Sequence, residues 1–199
     1  MIKVLIDPGH GSTCPNSSPD KSVYEWKYAR ELASIIEGRL DTLRIPHQRT
    51  TEGNVDTSLK DRCKFANIEN KKNPCILISL HLNASGNTSE WRSPHGWSIF
   101  TYTKASSNSI RLASYIEACI EKTKKVHIRK PSPNQPYWKQ SLAMCRDTSC
   151  PAVLIENMFQ DNKEDVEFLL SEEGKNILSE AIIEGICNYI GIKYEERNS

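Results

Sequence analysis

His10 and His81 stand in the two settings of this 199-residue chain that suggest chemistry. Asp7-Pro8-Gly9-His10-Gly11 directly follows the apolar run Ile2-Lys3-Val4-Leu5-Ile6, so a short strand hands an imidazole to a glycine-walled loop. The arrangement recurs at Leu77-Ile78-Ser79-Leu80-His81-Leu82-Asn83-Ala84, where a second apolar run of strand length ends in a second histidine. Ligand pockets of α/β sheets form outside the carboxyl ends of the strands, so two imidazoles delivered to one such edge read as half of a metal site. Taken singly, each would more readily be a hydrogen-bonded loop or strand-end residue, and it is the matched setting that favours ligands. His47, His95 and His127 have no such setting and read as loop or surface residues.

A hydrolytic zinc site takes three ligands of histidine and carboxylate type and leaves a fourth position to water. Glu25, in the first turn of an expected helix, can supply the third. Ser22-Val23-Tyr24-Glu25 is equally a capping box, in which the glutamate would only close the helix N-terminus. Two considerations weigh against the cap: Glu25 lies one residue off the apolar stripe, and the positive end of the helix dipole keeps a carboxylate ionised. Glu156 follows Ala152-Val153-Leu154-Ile155 and is expected at a strand end, either as a general base beside the metal's water or as a cap or lysine partner. Asp7 reads as a partner that fixes the tautomer of a ligand imidazole, or as an ordinary turn residue before Pro8. Asn83, Arg129 and the loop around Tyr137-Trp138 could line a substrate groove, or could be loop packing.

The elements that must position these groups follow from periodicity. Tyr24, Tyr28, Leu32, Ile35, Ile36 and Leu40 predict a helix over about 22–40, and Leu59, Arg62, Cys63 and Ala66 a second one beginning near Asp56 or Thr57. His47–Thr51 reads as an edge strand, and Cys75–Leu80 as a strand buried on both faces. Gly96–Thr103 reads as a strand, 110–121 as a helix, the proline-punctuated 127–140 as a loop, and the stretch from Ile177 to Tyr189 as a long helix closed by Gly191. Alternation of strand and helix predicts an α/β class: one domain over 1–192 with a central, mainly parallel (mixed) sheet flanked by helices on both faces, then a short polar tail over 193–199.

Bulk properties narrow the function. Twenty-six basic against 25 acidic residues leave a net charge of +1 without a single-sign block, which disfavours nucleic acid. No apolar run approaches the roughly 18 residues of a membrane span, and Ile2–Ile6 is too short for the core of a secretory signal. Seven cysteines without paired spacing do not make a disulfide framework; most read as buried small hydrophobes, although Cys145 and Cys150 could bridge a loop.

The ordered set DPGHG at 7–11, Glu25, TTEGNVDTSLKDRCKFAN at 50–67, SLHLNA at 79–84, Gly96 and PAVLIENMF at 151–159 resembles the zinc-dependent N-acetylmuramoyl-L-alanine amidases of the amidase-3 type over nearly the whole chain. The resemblance implies His10, Glu25 and His81 as ligands of one zinc ion, Glu156 as the catalytic glutamate, and hydrolysis of the amide between N-acetylmuramic acid and L-alanine in peptidoglycan. It implies action on the cell wall; with no signal read in the sequence, either a phage-type lysin released by another protein or a mature fragment is expected, and a monomer. A zinc peptidase acting within the stem peptide and a non-catalytic peptidoglycan-binding module are the rival readings. The chain departs from the family pattern at Ser12, at 13–19 and at Met158, where glycines are usual. Only a short loop, 85–95, follows His81, so an open and constitutively active pocket is expected.

Overall fold

β1 (Lys3–Pro8) and β3 (Cys75–Asn83) run side by side at the centre of the molecule, because both are apolar on successive residues and so are buried on both faces. In the computed structural model, which describes residues 1–86 and 90–195, they belong to a six-stranded sheet. Its remaining strands are β2 (His47–Arg49), β4 (Ser98–Thr101), β5 (Trp138–Lys139) and β6 (Ala152–Phe159), in the order β2-β1-β3-β6-β4-β5. Every pairing is parallel except that of β4 with β6, so the mainly parallel, mixed sheet expected from the sequence is present.

Successive residues of a strand point to opposite faces, and the two faces are covered unequally. Val4, Ile6, Ile76, Ile78 and Leu80 enter a large core with α1 (Glu25–Thr42), α3 (Ser107–Thr123) and α6 (Glu172–Ile190). Leu5, Cys75, Leu77 and Ala152 face a smaller core under α2 (Leu59–Lys72) and α4 (Ala143–Arg146). By the same alternation Asp7, Ser79, His81 and Glu156 lie on the α2 side. α5 (Lys163–Leu170) packs on β6 and α6.

Several boundaries differ from expectation for identifiable reasons. α1 starts at Glu25, not Ser22: Ser22 turns to the Asp20 carboxylate, and Tyr24 is an N-cap without a side-chain bond. The capping box therefore does not form, which leaves the Glu25 side chain free for other partners. α2 is capped by Ser58, whose hydroxyl accepts from the Asp61 N–H, rather than by Asp56 or Thr57. The 127–140 segment is not wholly loop, since Trp138–Lys139 extends the sheet beside β4. Glu156 does not end its strand; β6 continues to Phe159 through a bulge against His81–Asn83, with Met158 left-handed at φ 69°. That conformation favours glycine, the residue the family pattern would place there.

The expected tail over 193–199 is partly anchored. Tyr194 donates to Glu180 and lies against the Arg39 guanidinium, which also bonds the Glu195 carbonyl, while 196–199 fall outside the described residues. All seven cysteines are free, including Cys145 and Cys150. No described helix is long and apolar enough to cross a membrane.

Candidate metal centre

The parallel register sets the site. Asp7 pairs with Ser79 across β1 and β3, and His81 pairs with Glu156 across β3 and β6, so neighbouring strands deliver these groups to one edge. His10 arrives from the loop after β1, and Glu25 from the first turn of α1. Together His10, Glu25 and His81 offer one ligand atom each, all within 4.8 Å of one another.

Glu25 Oε1 lies 3.2 Å from His10 Nε2 and 3.0 Å from His81 Nδ1, and the two rings meet edge to face with centroids 5.0 Å apart. The donor set fits zinc: two imidazole nitrogens and a carboxylate oxygen, with both carboxylate–imidazole separations near the roughly 3.4 Å expected between tetrahedral ligands with bonds of about 2.0–2.1 Å. Asn16 Nδ2 donates to Glu25 Oε2 at 2.8 Å and the Leu82 N–H to Oε1 at 3.1 Å, so the carboxylate is oriented from both sides. Burial would push the Glu25 carboxyl up, but hydrogen bonds from His10 and His81 outweigh it and hold the group well below the usual carboxylate range. Burial likewise opposes a charged His81, yet the Glu25 bond, with Glu156, raises it to about 9. A divalent cation would replace the protons that now balance this cluster.

The His10 loop is rigidly built. His10 is left-handed at φ 55°, a conformation that surrounding contacts must enforce. Two buried arginines do so: Arg30 donates to the Gly9 and His10 carbonyls at 3.2 and 2.9 Å, and Arg62 to those of Pro8 and His10 at 2.6 and 2.7 Å. Arg62 also pairs with Asp7 at 3.0 Å, both being almost wholly buried. Gly9 admits no side chain, because a Cβ there would lie 2.5 Å from the His81 ring, and one at Gly11 would lie 2.3 Å from the Asp56 backbone. The DPGHG spelling thus follows from packing as well as from ligation. A cavity of about 240 Å³ opens beside His10 and His81 toward Asp56 and Leu59.

Glu156 stands beside this cluster without a hydrogen-bond partner for its buried Oε2. Burial is the first cause of a carboxyl pushed up to about 7, partly offset by His81. A carboxyl in that range exchanges protons readily at neutral pH.

A profile described as N-acetylmuramoyl-L-alanine amidase matches residues 4–188. The chain belongs to the N-acetylmuramoyl-L-alanine amidase family. It is 27% identical to the endolysin of Bacillus phage SPP1 over 205 residues, covering 98% of this chain and 69% of that one. With the probable cell wall amidase LytH of Staphylococcus saprophyticus it shares 26% over 192 residues, 94% of this chain but 57% of that protein, so it spans little more than half of this relative. Among solved structures, the N-acetylmuramoyl-L-alanine amidase of Clostridium difficile 630 superposes with a TM-score of 0.84 at 27% identity, covering 97% of this chain and 98% of that one. The amidase class and the α/β fold read from the sequence are those of the family.

The other sequence candidates have more ordinary surroundings. The Asp7 carboxylate accepts from Arg62, Thr50 and Ser79, so its bonds brace the loop and do not reach an imidazole. Asn83 Oδ1 caps the Ala84 N–H. Arg129 lies over the Phe159 ring at 4.7 Å, and Trp138 stacks with Phe100 while its Nε1 donates to the Arg129 carbonyl. The expected open loop over 85–95 includes residues 87–89, which lie outside the described residues. Arg30, Arg62 and Asn16 were missed. An arginine on the apolar face of α2, one turn from Leu59 and beside Cys63, was the available signal for Arg62.

Proposed function

We propose that this amidase-family chain binds one zinc ion through His10, Glu25 and His81, and cleaves the amide between N-acetylmuramic acid and L-alanine in peptidoglycan with Glu156 as proton carrier. The observation that supports this best is the juxtaposition of a three-donor cluster with an unpartnered, buried Glu156 oxygen on the register partner of a ligand. A zinc ion held there would polarise the substrate carbonyl and bring the pKa of bound water toward about 7. Glu156 takes a proton from the attacking water and returns it to the leaving amine of L-alanine, without which C–N cleavage stalls. Asn16 and the Leu82 N–H keep the Glu25 carboxylate aimed at the ion, while Arg30 and Arg62 keep the His10 backbone in its required conformation.

The names of the endolysin and cell wall amidase relatives support the cell wall as the place of action, with residues 1–192 as the catalytic unit. Metal analysis of the purified chain and mass spectrometry of digested peptidoglycan test the reading together. The expected result is one zinc per chain and new L-alanine amino termini on intact glycan strands. Cleavage confined to bonds within the peptide would instead establish a peptidase, and intact peptidoglycan a binding module.

A further inference from the structure

Among the described residues, seven buried side-chain atoms lack a hydrogen-bond partner, and four of them are acceptor oxygens within one short segment: Glu156 Oε2, Asn157 Oδ1, Gln160 Oε1 and Asp161 Oδ1. Buried polar groups are ordinarily satisfied, so such a concentration of one kind of group calls for a donor that the described residues do not supply. Gln160 and Asp161, only 4% and 3% exposed, line a pocket of about 440 Å³ closed by residues 15–19, Lys21, Ala84 and Gly86.

The pocket is built and is joined to the metal centre. The Ser85 N–H and Oγ both hold Asp161 Oδ2 at 2.8 Å, which fixes the carboxylate and leaves Oδ1 unpaired. The Gln160 N–H bonds the Asn83 carbonyl at 2.9 Å, tying the segment to the end of β3. Asn16 lines the pocket and also holds Glu25 Oε2, so one side chain separates the pocket from a proposed zinc ligand. Lys21 is exposed and lines the same pocket, yet neither orphaned oxygen has it as a partner. The residues at 13–19 are those in which the chain departs from the family's glycine-rich pattern.

We propose that this pocket is a subsite of the metal centre that takes a positively charged amine on the substrate's peptide, read by Gln160 Oε1 and Asp161 Oδ1. A carboxylate beside an amide carbonyl presents acceptors and one negative charge, and an ammonium offers three donors and no acceptor. A neutral N–H would satisfy one oxygen and leave the charge unanswered. The assignment rests on the hydrolase reading for its substrate, though the pocket's chemistry does not.

The test uses the zinc-loaded chain and a stem tripeptide that ends in a residue with a side-chain amine, compared with the same peptide acetylated on that amine. Calorimetry measures binding without turnover. Acetylation is expected to weaken binding to the wild-type chain about ten- to hundredfold, the range for a lost charge-assisted bond. Asp161→Asn should weaken the free-amine peptide similarly and leave the acetylated one unchanged. Equal affinity for the two peptides, no binding of either, or a loss in Asp161→Asn that is the same for both would overturn the proposal. Because the acetylation arm uses only the wild-type chain, it stands even where the variant folds poorly. Failure of the hydrolase reading shows separately, as no cleavage of the corresponding muramyl tripeptide.

Discussion

The two sides of the metal centre are finished differently. On the His10 side the buried carbonyls of 8–10 are taken by Arg30 and Arg62, and Asp7 has three partners. On the β6 side, from Glu156 to Asp161, four buried oxygens wait for donors. A region that is internally satisfied holds its shape without help, which suits ligands that must be in place before the ion arrives. A region left unsatisfied is completed by what binds to it, and Glu156, the proposed proton carrier, belongs to that region.

The sharpest way to break this contrast is to remove the ligand against which the braced loop packs at Gly9. His81→Ala should abolish stoichiometric zinc and with it detectable hydrolysis, as metal analysis and turnover of peptidoglycan would show; full occupancy would remove His81 from the site. Next in size, Arg62→Met strands the buried Asp7 carboxylate and frees the His10 loop. A loss of about 3–5 kcal/mol is expected in urea unfolding, the range for breaking a buried pair. A loss under about 1 kcal/mol would mean that Arg62 is not the brace. Gly9→Ala pushes a methyl into the His81 ring and should weaken zinc about 10- to 100-fold in a chelator competition, with little change in the fold.

The smallest effect is a pH trend. In the metal-free chain His81 is raised to about 9 and Glu156 to about 7, so the folded state holds protons that the unfolded chain has released. Their stabilising contribution is complete at low pH and is lost as pH rises: for Glu156 between its ordinary 4.5 and about 7, for His81 between 6.5 and about 9. Zinc requires the deprotonated ligands, so its binding strengthens over the same window. The gap in Tm between zinc-loaded and metal-free chain should therefore widen from pH 6 to 9, and a gap that narrows would contradict the assignment.

Much of this was legible in the sequence because it is written in local pattern. Apolar runs gave β1 and β3, and the histidines near their ends gave two members of the His10–Glu25–His81 cluster. What escaped notice depends on long-range contact. Whether Ser22 capped a helix or Glu25 faced a metal turned on the Ser22–Asp20 bond and on two histidines 15 and 56 residues away in the chain. Glu156 was placed at a strand end because the apolar run stops there, whereas β6 continues through polar Asn157 and left-handed Met158 by pairing with β3. Asp7 looked like an imidazole partner from its position alone; Arg62, 55 residues on, claims it. α4 and α5 are short and carry too few turns for periodicity to mark them.

Glu156→Gln tests the central claim most directly, through zinc content and the rate of release of L-alanine amino termini measured on the same preparation. The account predicts one zinc per chain, as in the wild type, with turnover lower by about 10²- to 10⁴-fold. Near-normal turnover with zinc in place would contradict it.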